Sequence, residues 1–279
     1  MNKVTLKIKN FDPEAIFTCG QCFRWVKEKN GSYTGVAKNK VINVSSEGEN
    51  VTFLNISESE FREVWEDYFD LKRDYETIID VLSGNEVLKE SVQFGKGIKI
   101  LRQDFFECLI SFIISANNNI PRIQKIINTL SRLYGEKITF NGMEYYSFPS
   151  PESLRNITEK DLEPLHAGYR AKYIVKAVNQ FLSGEVDFER IKTMPEKEAR
   201  ESLMKISGVG PKVADCILLF AFGRFDVFPT DVWVKRVMGE LFGAEEKKAC
   251  EMGKEMFGEY AGIAQQYLFY KRRSDNQVK

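Results

Sequence analysis

The chain has 279 residues, of which 43% are hydrophobic and 13% aromatic, so it can bury one large core or two moderate ones. Forty basic and forty acidic side chains cancel, which excludes a global field that attracts polyanions, so any nucleic-acid contact must come from local patches and helix ends. The amino terminus has no apolar leader, and no apolar run is long enough to span a membrane, which favours a cytoplasmic protein without membrane contact.

The first fifty residues alternate between apolar and polar side chains as strands do, for example around Phe23 and Trp25. Asn30-Gly31 is a hairpin turn signal, and Gly35 and Gly48 are interpreted as further breaks. We therefore predict an antiparallel sheet in this region.

Ser57 and Glu60 form a capping box before an apolar stripe with helical spacing, which we expect to lie on the sheet. A second helical pattern follows, and the segment from 94 to 97 is interpreted as a flexible link. The sequence thus predicts an α+β fold, with an N-terminal antiparallel sheet domain carrying helices over residues 1–97 and an all-α domain over 98–279. The helical part could comprise two subdomains, with its C-terminal end packing back on the sheet domain.

Asp104 and Glu107 are predicted to cap a central helix that is apolar nearly all round. Three consecutive amides, Asn117 to Asn119, follow this helix and precede an amphipathic helix that ends at Gly135. Asparagines often only cap and turn, but amides with Arg122 on the same edge would also suit base edges or phosphates.

A loop is predicted from 136 to 149, and a long amphipathic helix is predicted to begin after Gly168 and end at Gly184. Tyr169 and Arg170 lie together at the start of that helix. An aromatic–arginine pair on such a turn suits a wedge and a phosphate or base contact, and ordinary capping and packing is the alternative.

A helix that ends near Lys205 runs into a glycine-rich turn, and a second helix is predicted to begin at Pro211. We expect Gly208 and Gly210 to take positive φ and to let another backbone approach. Outward N–H groups and the helix N-terminus in this hairpin are suited to binding a phosphate.

Lys212 lies in the first turn of an otherwise almost wholly apolar helix, which is unusual for a solvated lysine. One interpretation is a snorkelling side chain. The other is a nucleophile, because a positive helix end and apolar walls favour the neutral amine. Asp231 opens a later helix and is expected to be its N-cap, but a carboxylate there could also stabilise positive charge that develops opposite the amine.

Five cysteines are present, and only Cys19 and Cys22 are closely spaced. No second pair completes a zinc site and no four-cysteine run would hold an iron–sulfur cluster, so we expect reduced thiols, no cofactor and no metal bound by side chains. His166 is the single histidine and is interpreted as structural.

The order of these motifs resembles the helix-hairpin-helix DNA glycosylase superfamily, and specifically its 8-oxoguanine DNA glycosylase branch. The resemblance covers nearly the whole chain from about residue 11 to residue 270. Besides the hairpin and Asp231, it rests on the stretches Gly20-Gln21-Cys22-Phe23-Arg24-Trp25, Leu101-Arg102-Gln103-Asp104, Ser111-Phe112-Ile113, Asn117-Asn118-Asn119-Ile120, Gly168-Tyr169-Arg170-Ala171, Lys212-Val213-Ala214-Asp215-Cys216 and Ala261-Gly262-Ile263-Ala264-Gln265.

The resemblance implies a base-excision repair enzyme that flips 8-oxoguanine out of double-stranded DNA, with cytosine as the expected opposite base. Lys212 would attack the sugar C1′, the base would leave, and the resulting Schiff base would permit β-elimination of the strand. Asp231 would stabilise the cationic sugar. The expected partner is double-stranded DNA containing oxidised guanine, and we expect a monomer.

The resemblance also implies four residues that bind the lesion base. The base would lie between Cys216 and Phe269, and Gln265 would read its Watson–Crick edge. The carbonyl of Gly20 would accept the N7 hydrogen that 8-oxoguanine has and guanine lacks.

On the DNA side, Asn117 would fill the gap left by the flipped base, Tyr169 would wedge the stack, and Arg122 with Arg170 would bind the abandoned cytosine. The amides around Gly208 and Gly210 would hold a phosphate. The turn carbonyls form a candidate backbone cation site at Met204, Ile206 and Val209.

Trp233 stands where the family often has a histidine, so a phosphate contact there would need the indole N–H or be lost. Two alternatives remain open: a sister glycosylase for other damaged bases, and a non-catalytic helix-hairpin-helix module that binds DNA shape. Gly20, Gln265 and Phe269 argue against the first alternative. The second leaves the joint presence of Lys212 and Asp231 unexplained.

Overall fold

The computed structural model describes residues 2–277 and begins with a five-stranded antiparallel sheet, as the sequence predicts. The strands lie in the order β1-β5-β4-β3-β2. Their bounds are β1 (Lys3–Lys7), β2 (Trp25–Lys27), β3 (Tyr33–Ala37), β4 (Lys40–Glu47) and β5 (Asn50–Leu54).

Gly35 lies inside β3, so its interpretation as a break is wrong. It pairs with Trp25 of β2, and a Cβ at Gly35 would lie 2.2 Å from the indole ring. That ring stacks on Phe17 of α1 (Pro13–Thr18), with 3.8 Å between the centroids. The glycine is needed because an aromatic ring crosses the strand here, a requirement that alternation in the sequence does not reveal.

The capping box at Ser57 and Glu60 is confirmed, since each side chain accepts the backbone N–H of the other residue. It opens α2 (Glu58–Glu60), which continues through a π-helical turn (Phe61–Trp65) into α3 (Glu66–Tyr68). The aromatic side chains of this segment pack on the sheet and close its core.

The remainder of the described chain is mainly helical. None of the described helices is long and apolar enough to cross a membrane. The helices are α4 (Tyr75–Ser83), α5 (Lys89–Gly95), α6 (Phe105–Ser115), α7 (Ile120–Tyr134), α8 (Arg170–Leu182), α9 (Phe188–Ile191), α10 (Glu196–Leu203), α11 (Pro211–Phe220), α12 (Val232–Phe242), α13 (Ala249–Phe257) and α14 (Ala261–Gln277).

The predicted loop from 136 to 149 instead contains a hairpin of β6 (Lys137–Phe140) and β7 (Met143–Tyr146). Its two-residue turn, Asn141-Gly142, has positive φ at both positions. Phe140 packs with Val36 of β3 and Val41 of β4 in a small cluster that is separate from the two larger cores. The hairpin therefore fastens the helical part to the sheet. Strands of four residues are too short for their alternation to stand out in the sequence.

Half of the predicted cap at the start of α6 is confirmed. The side chain of Asp104 accepts the N–H of Glu107 at 3.1 Å, but the Glu107 carboxylate lies 3.6 Å from the guanidinium of Arg24. Burial raises the pKa of Glu107 despite this ion pair. Glu107 thus links α6 to the sheet rather than completing a cap.

The segment from 94 to 97 is packed, so the prediction of a flexible link is wrong. The carbonyl of Gly97 accepts the N–H of Asp12 at 2.9 Å, and a Cβ at Gly97 would lie 2.4 Å from that of Asp12. One core lies between the sheet and its covering helices, and a larger core includes α4 and α5 together with the helices after residue 104. Packing therefore crosses the predicted boundary at 97/98, which stays a prediction.

The last helix returns to the N-terminal part of the chain. A Cβ at Gly95 of α5 would lie 2.6 Å from the ring of Tyr267 in α14. Arg273 of α14 donates to the carbonyl of Thr18 at the end of α1. This contact places α14 beside the turn that contains Gly20.

Candidate active site

The predicted hairpin joins α10 to α11. Gly208 has φ +87°, and a Cβ there would lie 2.8 Å from that of Tyr173, so the expectation for this glycine is confirmed. Gly210 is extended, with φ −95°, so the expectation of positive φ there is wrong. It is the N-cap of α11, and a Cβ there would contact nothing within 4 Å, which leaves the hairpin surface open.

A glutamine from another helix stabilises the turn of the hairpin. Gln180 of α8 accepts the N–H of Ser207 at 2.7 Å, a contact that the sequence did not suggest. The carbonyl of Ile206 accepts the N–H of Val209 at 3.0 Å, which closes the turn. The candidate cation site at Met204, Ile206 and Val209 therefore has one carbonyl already bonded within the protein, and a cation there stays a prediction.

Lys212 lies in the first turn of α11 and is half-buried. Its Nζ is 5.0 Å from the ring centroid of Phe112 in α6. Cys216 follows one helical turn later and is 3% exposed. Burial raises the pKa of Cys216 to about 11, while the nearby Lys212 lowers it and Asp231 raises it. Amine, thiol and carboxylate thus converge from two helices.

Asp231 is the N-cap of α12, as predicted. Its Oδ1 accepts the N–H of Val234 at 2.8 Å. A carboxylate has two oxygens and several lone pairs, so capping leaves it able to face a developing positive charge.

A cavity of about 880 Å³ opens between the sheet part and the helical part, within the size range of ligand sites. Gly20, Asp231 and Phe269 line it, together with Asn118 and Trp233. Residues from both ends of the chain therefore meet at one cavity, as the predicted lesion site requires.

Gly20 has φ +85°, and a Cβ there would lie 3.0 Å from the ring of Phe269. Any other residue would be strained at this positive φ, and its Cβ would press on the ring of Phe269. This contact places the predicted N7–H acceptor beside the predicted stacking ring.

A buried glutamine, for which the sequence suggested no role, fixes the Gly20 turn. The Nε2 of Gln21 donates to the carbonyl of Lys99 at 2.9 Å, and its Oε1 accepts the N–H of Leu101 at 2.9 Å. Gln103 in turn donates to the carbonyl of Gln21 at 2.6 Å. These hydrogen bonds join the stretches 20–25 and 101–104 into one brace around the Gly20 turn. The glutamines in both stretches were the feature of the sequence that could have predicted it.

Gln265 lies one turn before Phe269 on α14, so the two side chains share a face. Gln265 is 3% exposed, and its Oε1 accepts from Gln266 at 2.8 Å. It is not among the residues that line the cavity, so its contact with a base stays a prediction.

The loops expected to contact the opposite strand meet at one rim. Asn117 and Arg122 are exposed, and Tyr169 is 51% exposed. Arg122 donates to the carbonyl of His166 at 3.1 Å, and Arg170 donates to that of Asn117 at 2.7 Å. The structure thus brings the predicted gap-filling, wedge and guanidinium residues together.

Arg170 is more buried than its predicted role suggests, with only 3% of its surface exposed. Its donors are bonded to the carbonyls of Ala116, Asn117 and Ala167, and its guanidinium lies 4.5 Å from the ring centroid of Tyr169. In this arrangement it positions the Asn117 loop. A direct bond to cytosine stays a prediction and requires these bonds to exchange.

Comparison with known proteins places both parts of the chain. Residues 3–109 match the family model described as 8-oxoguanine DNA glycosylase, N-terminal domain. Residues 110–259 match the one described as HhH-GPD superfamily base excision DNA repair protein.

Two curated proteins and one solved structure are similar over most of their length. A probable N-glycosylase/DNA lyase from Methanothermobacter thermautotrophicus is 36% identical over 80% of this chain and 78% of its own. The Saccharomyces cerevisiae N-glycosylase/DNA lyase is 32% identical, over 85% and 68%. The Clostridium acetobutylicum 8-oxoguanine glycosylase/lyase, solved with double-stranded DNA containing cytosine opposite 8-oxoguanine, is 50% identical, with a TM-score of 0.93 over 96% of this chain and 93% of that chain.

Proposed function

The chain belongs to the 8-oxoguanine DNA glycosylase family of helix-hairpin-helix base-excision repair proteins, and from this premise we propose that Lys212 is its catalytic nucleophile. The protein is a DNA glycosylase with abasic-site lyase activity that acts on 8-oxoguanine in double-stranded DNA. The observation that carries the assignment of Lys212 is its half-buried amine, 5.0 Å from the ring centroid of Phe112 and close enough to Cys216 to lower the pKa of that thiol, which also responds to Asp231 on the cavity wall.

The proposed reaction is covalent catalysis without a metal. The neutral amine of Lys212 forms a bond to C1′ of the flipped nucleotide as the N-glycosidic bond breaks and the base leaves with the bonding electrons. Proton loss from nitrogen and opening of the sugar ring give a Schiff base, which makes the C2′ proton acidic. Removal of that proton expels the 3′ phosphate and cuts the strand. The Asp231 carboxylate stabilises the positive charge on the sugar as the base departs.

Base selection is proposed to depend on the carbonyl of Gly20. Guanine has no hydrogen on N7, so it would leave a buried acceptor unpaired, at a cost of roughly 1–3 kcal/mol relative to 8-oxoguanine. The brace through Gln21 supports this role because it fixes the turn on both sides. Phe269 and Cys216 are proposed to enclose the base, with Gln265 at its Watson–Crick edge.

Two regions of the protein are proposed to bind the DNA. The hairpin at Gly208 and Gly210 holds a phosphate of the damaged strand through backbone amides. The rim at Asn117, Arg122 and Tyr169 enters the duplex from the side of the opposite strand. Cytosine is the proposed opposite base, since guanidinium donors match its acceptors.

We place this activity in the cytoplasm, at the nucleoid. All five cysteines are free and four of them are buried, which suits a reducing compartment.

Excision measured on a panel of duplexes tests the proposal. We expect fastest release of 8-oxoguanine opposite cytosine, slower release opposite the other three bases, and none of undamaged guanine. Lys212→Gln should abolish both base release and strand cleavage while retaining DNA binding. Faster excision of an alkylated purine or an oxidised pyrimidine would identify a sister glycosylase instead, and tight binding without any excision would identify a non-catalytic module.

A further inference from the structure

An exposed tryptophan lies on the wall of the lesion cavity. Trp233 is 47% exposed, whereas Trp25 and Trp65 are 4% and 1% exposed. It lines the same cavity as Gly20 and Phe269. Large aromatic rings are mostly buried in proteins, so an exposed ring on a cavity wall indicates a surface that is covered when a ligand binds.

The ring is supported before any ligand arrives. The cap by Asp231 fixes the first turn of α12, which carries Trp233. One turn later on the same face, the guanidinium carbon of Arg236 lies 5.4 Å from the centroid of the indole. A ring held in this way loses less conformational entropy on stacking than a free side chain would.

The chemistry at this position favours a base over a phosphate. An indole carries no charge and offers a single N–H donor, and the nearby charges of Asp231 and Arg236 are opposite in sign, so together they do not favour an anion there. Every nucleobase, by contrast, presents a flat π-face that stacks on an aromatic ring.

We propose that Trp233 is a stacking subsite for a nucleobase of the damaged strand that has left the duplex stack. This inference rests on the proposed function, because only an enzyme that extrudes a nucleotide presents an unstacked base to this cavity. At the position where the family often has a histidine, the indole of Trp233 stacks on this base. The flipped lesion base and its neighbour on the strand have the same chemistry, and a lesion base stacked on Trp233 would replace its proposed position between Phe269 and Cys216, so the experiment must separate the two.

The test is equilibrium binding to a duplex with 8-oxoguanine opposite cytosine, in a Lys212→Gln background that prevents turnover. We expect Trp233→Leu to weaken binding roughly 5- to 100-fold, the effect typical of one stacked base, without changing the dependence of log Kd on log salt concentration. Trp233→Phe should restore most of the affinity. Binding should also quench tryptophan fluorescence more strongly in the parent protein than in the Trp233→Phe variant, in which the buried Trp25 is the tryptophan left on the cavity wall.

A tetrahydrofuran abasic analogue at the lesion position separates the two sources of the base. Loss of the Trp233→Leu effect on this duplex identifies the lesion base as the occupant, and persistence identifies its neighbour. Equal affinities for Trp233→Leu and its parent would overturn the proposal. So would a Trp233→Phe variant that binds as weakly as Trp233→Leu, because phenylalanine keeps a ring that can stack but lacks the indole N–H that could contact a phosphate.

The proposed function is checked separately in the enzyme with Lys212 intact. If that enzyme releases no 8-oxoguanine, the proposed function fails whatever the binding of the Trp233 variants. If it does and the Trp233 variants bind alike, only the stacking subsite fails.

Discussion

Gly20 shows how a single residue can combine a conformational role with a proposed recognition role. Its positive φ points its carbonyl in a direction that other residues rarely adopt, and its missing side chain leaves room for the ring of Phe269. The sequence identified Gly20 through a family motif. It did not reveal the ring contact, because the two residues lie at opposite ends of the chain.

Gly20→Ala should lower both stability and base selectivity. A non-glycine residue at positive φ costs about 1–2 kcal/mol, and the added methyl group would push on Phe269. We expect a lower free energy of unfolding and a smaller ratio of kcat/KM for 8-oxoguanine over other damaged bases. Gly31→Ala is the matched control, since Gly31 has φ +86° and nothing within 4 Å of a Cβ. Similar loss of selectivity in both variants would contradict the role of Gly20.

Lys99 is a buried lysine outside the active site. Burial lowers its pKa from 10.5 to about 8, and its Nζ lies 4.0 Å from the ring centroid of Tyr75. A depressed lysine pKa destabilises the folded state below pH 8, and this penalty disappears as pH rises from 8 towards 10.5.

The free energy of unfolding of the wild type, relative to Lys99→Met, should therefore rise by on the order of 2 kcal/mol between pH 7.5 and 10. Urea unfolding at the two pH values measures this difference. Lys96→Met, at an exposed lysine nearby, should show no such change. A pH-independent difference for Lys99→Met would refute the shifted pKa.

At the scale of elements, local signals in the sequence predicted helices and caps well, but they missed contacts between distant segments. Capping at Ser57 and Asp231 was predicted because a cap needs only neighbours in sequence. The hairpin of β6 and β7 was missed because its strands are short and depend on the sheet for support. Arg170 was expected to be free to bind a base, since nothing in its neighbourhood indicated the three carbonyls that bind it.

Asp231 combines a cap with a proposed catalytic charge, and two substitutions separate these roles. Asp231→Asn keeps an oxygen that can cap α12 but removes the charge. We expect its stability to change little and kcat to fall roughly 10²- to 10³-fold. Asp231→Ala should lose about 1 kcal/mol of stability as well.

The control for the cap is Asp74→Ala, which removes the N-cap of α4, where Asp74 accepts the N–H of Thr77 at 3.1 Å. It should lower stability to a similar extent and leave kcat unchanged. If Asp231→Asn kept full activity, the carboxylate would be only a cap.

At the scale of the whole molecule, the proposed active site depends on the packing of the sheet part against the helical part. Gly20 comes from the first part, Lys212 and Asp231 from the second, and Phe269 from the returning helix α14. The order of the two parts along the chain was predictable from alternation and helical periodicity. The larger core that crosses residue 97 was not, because periodicity gives the buried face of a helix but not its partner.

We therefore expect the two parts to unfold together. In a Trp233→Phe background the remaining tryptophans, Trp25 and Trp65, report on the sheet part, and far-ultraviolet circular dichroism reports mainly on the helices. Denaturation followed by both probes should give coincident transitions. Two separated transitions would show that residues 1–97 and 98–279 are independent folding units.

The central claim is that Lys212 is the nucleophile, and borohydride trapping tests it most directly. With a duplex containing 8-oxoguanine opposite cytosine, borohydride should reduce the Schiff base to a stable protein–DNA adduct that mass spectrometry locates at Lys212. Lys212→Gln should give no adduct, whereas Lys99→Met, which removes another lysine shielded from solvent, should trap as the wild type does. An adduct that survives Lys212→Gln, or that maps to another residue, would contradict the account.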